Sequence, residues 1–229
     1  MKKALTLVVL IFTPSIIFAQ GTVGFNNSTG LVQQWTSSSD STLAPVPVGG
    51  GYVELIATTA GNPLLHPLGV YEGNSGFLPG YSFLAGFLAD NPGWVVPSSF
   101  LYGLPAPQVP APISGTAGRF NGGDMLIPPP AVLNGADADY LVVGWTGPYP
   151  TYDAAYAADL ANSNSSFLGM SAIATTHTGD PYASPPGTAV SLSATFQGIT
   201  LAPAVIPEPT AVLLAGLGAG LVLLFHRRG

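Results

Sequence analysis

Val190-Ser191-Leu192-Ser193-Ala194-Thr195-Phe196-Gln197 alternates apolar and polar side chains through eight positions, the period of a strand with one face on a core. Beyond Gly198 the phase reverses, with Ile199 and Leu201 apolar, which predicts a bulge at that glycine. The same period recurs upstream. Residues 139–146 set Leu141, Val143 and Trp145 on one face, and residues 52–59 turn Val53, Leu55 and Ala57 inward with Glu54 outward. Thr22–Asn26 and residues 81–88, 116–120 and 124–127 are further strand candidates with a less regular alternation. Gly/Pro clusters at 45–51, 91–93, 105–112 and 128–130 separate these runs. Many short strands with such punctuation predict a mainly β chain, folded as a single β-sandwich or jelly-roll-like domain.

One short helix is expected at Tyr152–Ala161. Thr151 can cap it, Asp153 suits its first turn, and five alanines favour it. Tyr152, Tyr156 and Leu160, at i, i+4 and i+8, form a stripe that either packs on a sheet or serves a ligand as a platform.

Composition narrows the function classes. The 229 residues are 47% apolar and 10% aromatic, enough to bury a core, yet only 7% are charged, against about 25% in an average soluble domain. Cysteine is absent, which excludes a disulfide scaffold, Cys-ligated zinc or iron–sulfur, and a thiol nucleophile. Five cations exclude a nucleic-acid partner. Four of the five are Lys2, Lys3, Arg227 and Arg228, so Arg119 is the only Lys or Arg in residues 20–205. That stretch holds every acid but Glu208, ten in all, and its net charge is −9. No lysine remains there for Schiff-base or phosphate chemistry.

The two ends read as targeting segments. Residues 1–19 join Lys2 and Lys3 to an apolar run, and Ala19-Gln20 offers a signal-peptidase site, with Gln20 the new first residue. The run is short for a membrane span, and Pro14 breaks a helix. At the other end residues 211–225 are uncharged and precede His226, Arg227 and Arg228. As a helix they cover roughly 23 Å, a thin transmembrane helix whose arginines place the bulk of the chain outside. Just before it, Pro207 and Pro209 flank Glu208 and keep that segment extended.

Ile206-Pro207-Glu208-Pro209, a short apolar helix and the terminal Arg227-Arg228 together resemble the PEP-CTERM protein-sorting signal of Gram-negative bacteria. Ile206 departs conservatively from the valine common in that family. The resemblance implies export through the Sec translocon, removal of the signal by signal peptidase, and recognition of the tail by exosortase, a membrane-embedded transpeptidase-like enzyme. Pro207, Glu208, Pro209, Arg227 and Arg228 would be the residues read. Gly21-Thr22-Val23-Gly24-Phe25-Asn26-Asn27, Val143-Gly144-Trp145, Thr151-Tyr152-Asp153-Ala154-Ala155 and Gly169-Met170-Ser171 are similar to stretches of the β-rich ectodomains that carry such tails. Those ectodomains bring no assigned activity.

The chain thus divides into a signal peptide at 1–19, a β-rich exported domain at 20–205, and a sorting signal at 206–229 with its transmembrane helix at 211–225. Chemistry within the exported domain is sparse. His66 and His177, with Asp180 three residues on, lack the spacing of a metal motif. Gly169-Met170-Ser171-Ala172-Ile173 lacks the second glycine of a nucleophile elbow, though a Ser–His–Asp set using His177 can assemble from distant segments. Asp137 and Asp139 share one side of a strand, as a glycosidase pair or a calcium loop requires, and equally fit a turn leading into a strand. Trp35, Trp94 and Tyr149 either stack on sugar or pack under loops. Ser37-Ser38-Ser39-Asp40-Ser41-Thr42 is a polar tract open to glycosylation or simply a solvated loop.

The reading that follows is an exported, non-enzymatic protein of the cell envelope, outer surface or extracellular matrix, without a cofactor. The membrane holds it at least transiently through residues 211–225, and exopolysaccharide is a candidate partner. A secreted carbohydrate-binding module, with or without calcium, and a secreted glycoside hydrolase are the alternatives.

Overall fold

The computed structural model describes residues 21–68, 71–72, 76–77, 83–101, 104–105, 110–128, 131–132, 134–162, 165–181 and 183–204. In chain order the strands are β1 (Thr22–Asn26), β2 (Val32–Ser37), β3 (Asp40–Pro45), β4 (Gly51–Thr59), β5 (Tyr71–Glu72), β6 (Gly76–Phe77), β7 (Ser98–Leu101), β8 (Leu104–Pro105), β9 (Ala111–Pro112), β10 (Asn121–Leu126), β11 (Asp137–Thr146), β12 (Leu168–Met170), β13 (Ala174–His177), β14 (Val190–Ser191) and β15 (Ile199–Leu201). Helices α1 (Leu84–Asp90) and α2 (Tyr152–Ala161) and a 3₁₀ turn at Leu192–Ala194 complete the set. The chain is mainly β.

The spine is the antiparallel pair β4–β11, in unbroken register from Gly51 opposite Thr146 to Thr59 opposite Ala138. On the other side of β11, β13 pairs with its first half and β12 with its second. The sheet runs β6-β5-β12-β11-β4-β9, beside a second sheet β14-β1-β10-β7-β8 and a third, β15-β2-β3.

Alternation along the spine feeds two cores. Val53, Leu55 and Ala57, with Ala138, Tyr140 and Val142, meet Val23 and Phe25 of β1, Met125 of β10 and Ile199 and Leu201 of β15. Ile56, Leu141, Val143 and Trp145 face the other way, onto Leu84 and Phe87 of α1 and Tyr152, Ala155 and Tyr156 of α2. Strands therefore cover one face of the spine and helices the other. Full burial of each large apolar side chain contributes about 1.5–3 kcal/mol.

Several expectations hold at this level. β1 and α2 have the predicted bounds, β4 and β11 extend the predicted runs by one and two residues, and the 124–127 candidate is the end of β10. Thr151 caps α2 by accepting the Ala154 N–H at 3.2 Å.

Others are corrected. Residues 190–197 are not a strand: only Val190–Ser191 pairs, and Leu192–Ala194 turns into a 3₁₀ helix. The serines drive this, because the Ser191 side chain accepts the Ser193 N–H while Ser193 Oγ accepts the Ser28 N–H. Leu192 and Phe196 are buried, whereas Val190 is exposed. Gly198 is accordingly no bulge within a strand but a left-handed residue (φ +103°) leading into β15. The 81–88 candidate is helical from Leu84, since Leu84, Phe87 and Leu88 form a helical stripe. Among the described residues two α-helices stand where one was expected. Residues 116–120 form a turn around Gly118 (φ +72°) and meet Ile113 only through an isolated bridge at Phe120. Leu160 drops out of the α2 stripe and is exposed; Tyr152, Ala155, Tyr156 and Asp159 are buried instead.

Among the described residues no helix is long and apolar enough to cross a membrane. The signal peptide, its site at Ala19-Gln20, and the tail with Pro207, Glu208, Pro209, Arg227, Arg228 and the helix expected at 211–225 lie outside the described residues.

Candidate functional site

Glu54 is the single acid in a nine-residue strand that is otherwise uncharged. Its place in the alternation turns it away from Val53 and Leu55, as expected, but the space it meets is the helix layer. Val143 stands opposite it on β11. Burial first, and the negative charge of Asp153 second, push its carboxyl up to about 7.

Asp153 arrives there because α2 starts at Tyr152. Its Oδ1 accepts the Leu84 N–H at 2.6 Å, so an acid from the first turn of α2 caps α1. Phe83, at the cap position of α1, supplies no side-chain bond of its own. Tyr152 is fully buried, set edge-on to Trp145 with ring centroids 6.2 Å apart. Among the described residues its hydroxyl has no hydrogen-bond partner, and burial, then Tyr156 and Asp153, hold it well above its ordinary pKa. Glu54, Asp153 and Tyr152 line one cleft of about 260 Å³ with Leu84, Leu88 and Val96. Glu54 can therefore take up and release a proton near neutrality beside the aliphatic side chains of Leu84, Leu88 and Val96.

A second group gathers where β11 meets β13. His177 Nδ1 and Asp137 Oδ1 are 3.0 Å apart and exposed. Asp139 is buried, with Oδ2 accepting the Gly61 N–H at 2.7 Å and Oδ1 the Thr175 hydroxyl at 2.5 Å. Asp137 and Asp139 do share a side, but each is committed to the residue opposite it, His177 and Thr175. Asp180 accepts from Asn134 Nδ2 at 2.8 Å. Among the described residues no three His, Asp or Glu side chains converge as metal ligands. Gly135 (φ +64°) marks the turn before β11, the plainer of the two readings of that loop.

The remaining candidates are tied into the fold. Ser171 Oγ accepts the Val142 N–H and donates to the Ala172 carbonyl. His66 is exposed, and its backbone N–H donates to Asn91. Trp94 is buried against Phe87 and its indole donates to the Pro63 carbonyl at 3.4 Å. Tyr149 is half-buried, its carbonyl accepting the Trp145 indole N–H at 2.9 Å. Trp35 is half-buried on β2. The Ser37–Thr42 tract is the tip of the β2–β3 hairpin, where hydrogen bonds from Thr42 and Thr36 hold the Asp40 carboxyl below its ordinary range. A neutral cleft of about 300 Å³ lies between Thr58, Thr59, Asn62, Gly93 and Ala131.

The sequence reading missed the Glu54 cleft, because it placed Glu54 in solvent and gave Asp153 to its own helix. The available signal was one acid inside an otherwise uncharged strand pattern. Comparison with known protein families, characterised proteins and solved structures finds no match to this chain.

Proposed function

We propose that this is an exported, non-enzymatic protein of the cell envelope or extracellular matrix, delivered through a PEP-CTERM-like tail that exosortase recognises. The observation that carries the reading is the ordered tail: Pro207-Glu208-Pro209, the apolar run 211–225, then Arg227-Arg228. Proline on either side of Glu208 disfavours helix there, which suits an enzyme that acts on an extended substrate. The exported portion is a β-sandwich in this reading. The apolar cluster shared by β1, β10, β15 and the β4–β11 spine supports it. A surface with one cation and ten acids in residues 20–205 suits a protein that must pass anionic envelope polymers without adhering by charge.

The hydrolase alternative gains one observation, the raised Glu54 beside Asp153. The engagement of Asp153 Oδ1 by the Leu84 N–H weighs against it, because that carboxylate is already committed to capping α1. The sorting reading is tested by replacing Pro207, Glu208 and Pro209 together with alanine in the native host. The variant is expected to accumulate full-length in the inner membrane, while the parent protein reaches the surface or medium. Equal delivery of both would overturn the proposal.

A further inference from the structure

β15 runs parallel to β2, with Ile199 beside Val32, Thr200 beside Gln33 and Leu201 beside Gln34. Both strands therefore point to the same end of the molecule. Past Gln34, β2 continues to Ser37 and turns back through β3, carrying the hairpin roughly 10 Å beyond Leu201 at about 3.3 Å per residue. The chain after β15 crosses instead to the helix layer. Ala202 bridges Leu168, and the Ala204 N–H donates at 3.2 Å to Oδ2 of Asp159, a buried acid in the last turn of α2. The hairpin and the C-terminal end of α2 thus flank Ala204, where the described residues stop.

This end presents apolar side chains to solvent. Leu43 is 41% exposed and stands directly opposite Trp35, so the two share a face of the hairpin. Leu160, next to Asp159, is 42% exposed. Attraction by charge is not on offer here. Arg119, the only Lys or Arg in residues 20–205, follows Gly118, whose carbonyl accepts the Val32 N–H at the opposite end of β2. The tether from this end is short. Ala204 and Ala211, the first residue of the apolar run, are seven residues apart, a reach of at most about 25 Å. A domain of this length has a radius of gyration of roughly 16 Å and is about 40 Å across. A tether shorter than that width keeps the Ala204 end from pointing away from any membrane that holds residues 211–225.

We propose that the end formed by the β2–β3 hairpin and the last turn of α2 is a membrane-contact surface. Leu43, Leu160 and the edge of Trp35 rest at the headgroup–acyl boundary, where leucine buries apolar area and tryptophan keeps its indole near polar groups. The contact lasts as long as the tail stays attached, and it rests on the reading of residues 211–225 as a membrane helix.

The chain has no cysteine, so single cysteines can carry a probe. Leu43→Cys, Leu160→Cys and a control, Val48→Cys, are each labelled with a nitrobenzoxadiazole fluorophore. All three positions are exposed, Val48 most of all at 58%, and Val48 lies past the end of β3 remote from the hairpin tip. The full chain, recovered with its tail from an export-competent bacterium, is placed in phosphatidylcholine nanodiscs with or without a lipid spin-labelled high on its acyl chain. Quenching of at least about threefold is expected at 43 and 160, and of less than about 1.2-fold at 48. Equal quenching at all three positions overturns the proposal. So do probes at 43 and 160 that are blue-shifted yet unquenched, because protein, a second copy or the tail itself, then covers them. In both cases the chain still elutes with the discs and the tail remains a membrane segment. A chain that does not enter the discs defeats the membrane helix and the contact surface together.

Discussion

Glu54 binds its proton more tightly folded than unfolded, with a carboxyl at about 7 against an ordinary 4.5. Between those values the folded state holds more protons, so stability falls as pH rises from about 4.5 to about 7 and stays lower above it. Glu54→Gln removes the penalty. It is expected to stabilise the protein by about 1–3 kcal/mol at pH 8 and to flatten the decline, as read from urea unfolding across that range. Asn27 shows the opposite case, a polar side chain that the fold needs. Its Nδ2 donates to the Gly30 and Gly118 carbonyls, the latter at 2.9 Å, and its Oδ1 accepts the Phe120 N–H at 2.7 Å. Asn27→Ala leaves those backbone groups unpaired and should lower the urea midpoint by the equivalent of about 2–4 kcal/mol. Neither role was legible in the sequence. Glu54 looked solvent-facing because alternation says which side of a strand a residue takes, not whether another layer covers that side.

At the scale of elements, alternation worked where long-range pairing enforces it and failed where serines compete for the backbone. β4 and β11 pair along nine positions, and their apolar residues leave little choice of register. Residues 190–197 have a cleaner alternation, yet the Ser191 side chain accepts the Ser193 N–H and caps a 3₁₀ turn there, while Ser193 Oγ accepts the N–H of Ser28 from the start of the domain. α1 escaped notice because it is seven residues long and borrows its cap from Asp153, 69 residues away in sequence. The meeting of β12 with β15 depends on a residue without a side chain. A Cβ on Gly169 would stand 2.2 Å from the Thr200 carbonyl oxygen, beside the paired Leu168–Ala202 bridge. Gly169→Ala must therefore push β15 from the spine, with an expected loss of more than about 2 kcal/mol in chemical unfolding.

For the whole molecule, charge is the leading feature. Residues 20–205 hold one cation and ten acids, and the His177–Asp137 pair among the described residues is exposed. Added sodium chloride therefore screens repulsion more than attraction, and a modest rise in urea midpoint is expected on moving from low to physiological ionic strength. That the chain is mainly β was legible from turn spacing and strand period. The proposed delivery rests on the tail, and the most direct test of it is the intact mass of protein recovered from its native host, with one tag in an exposed loop and another after Gly229. The sorting account predicts a species that keeps the loop tag, has lost the terminal tag, begins at Gln20 and ends within residues 207–210. A membrane-bound species retaining both tags and residues 211–225 would contradict it.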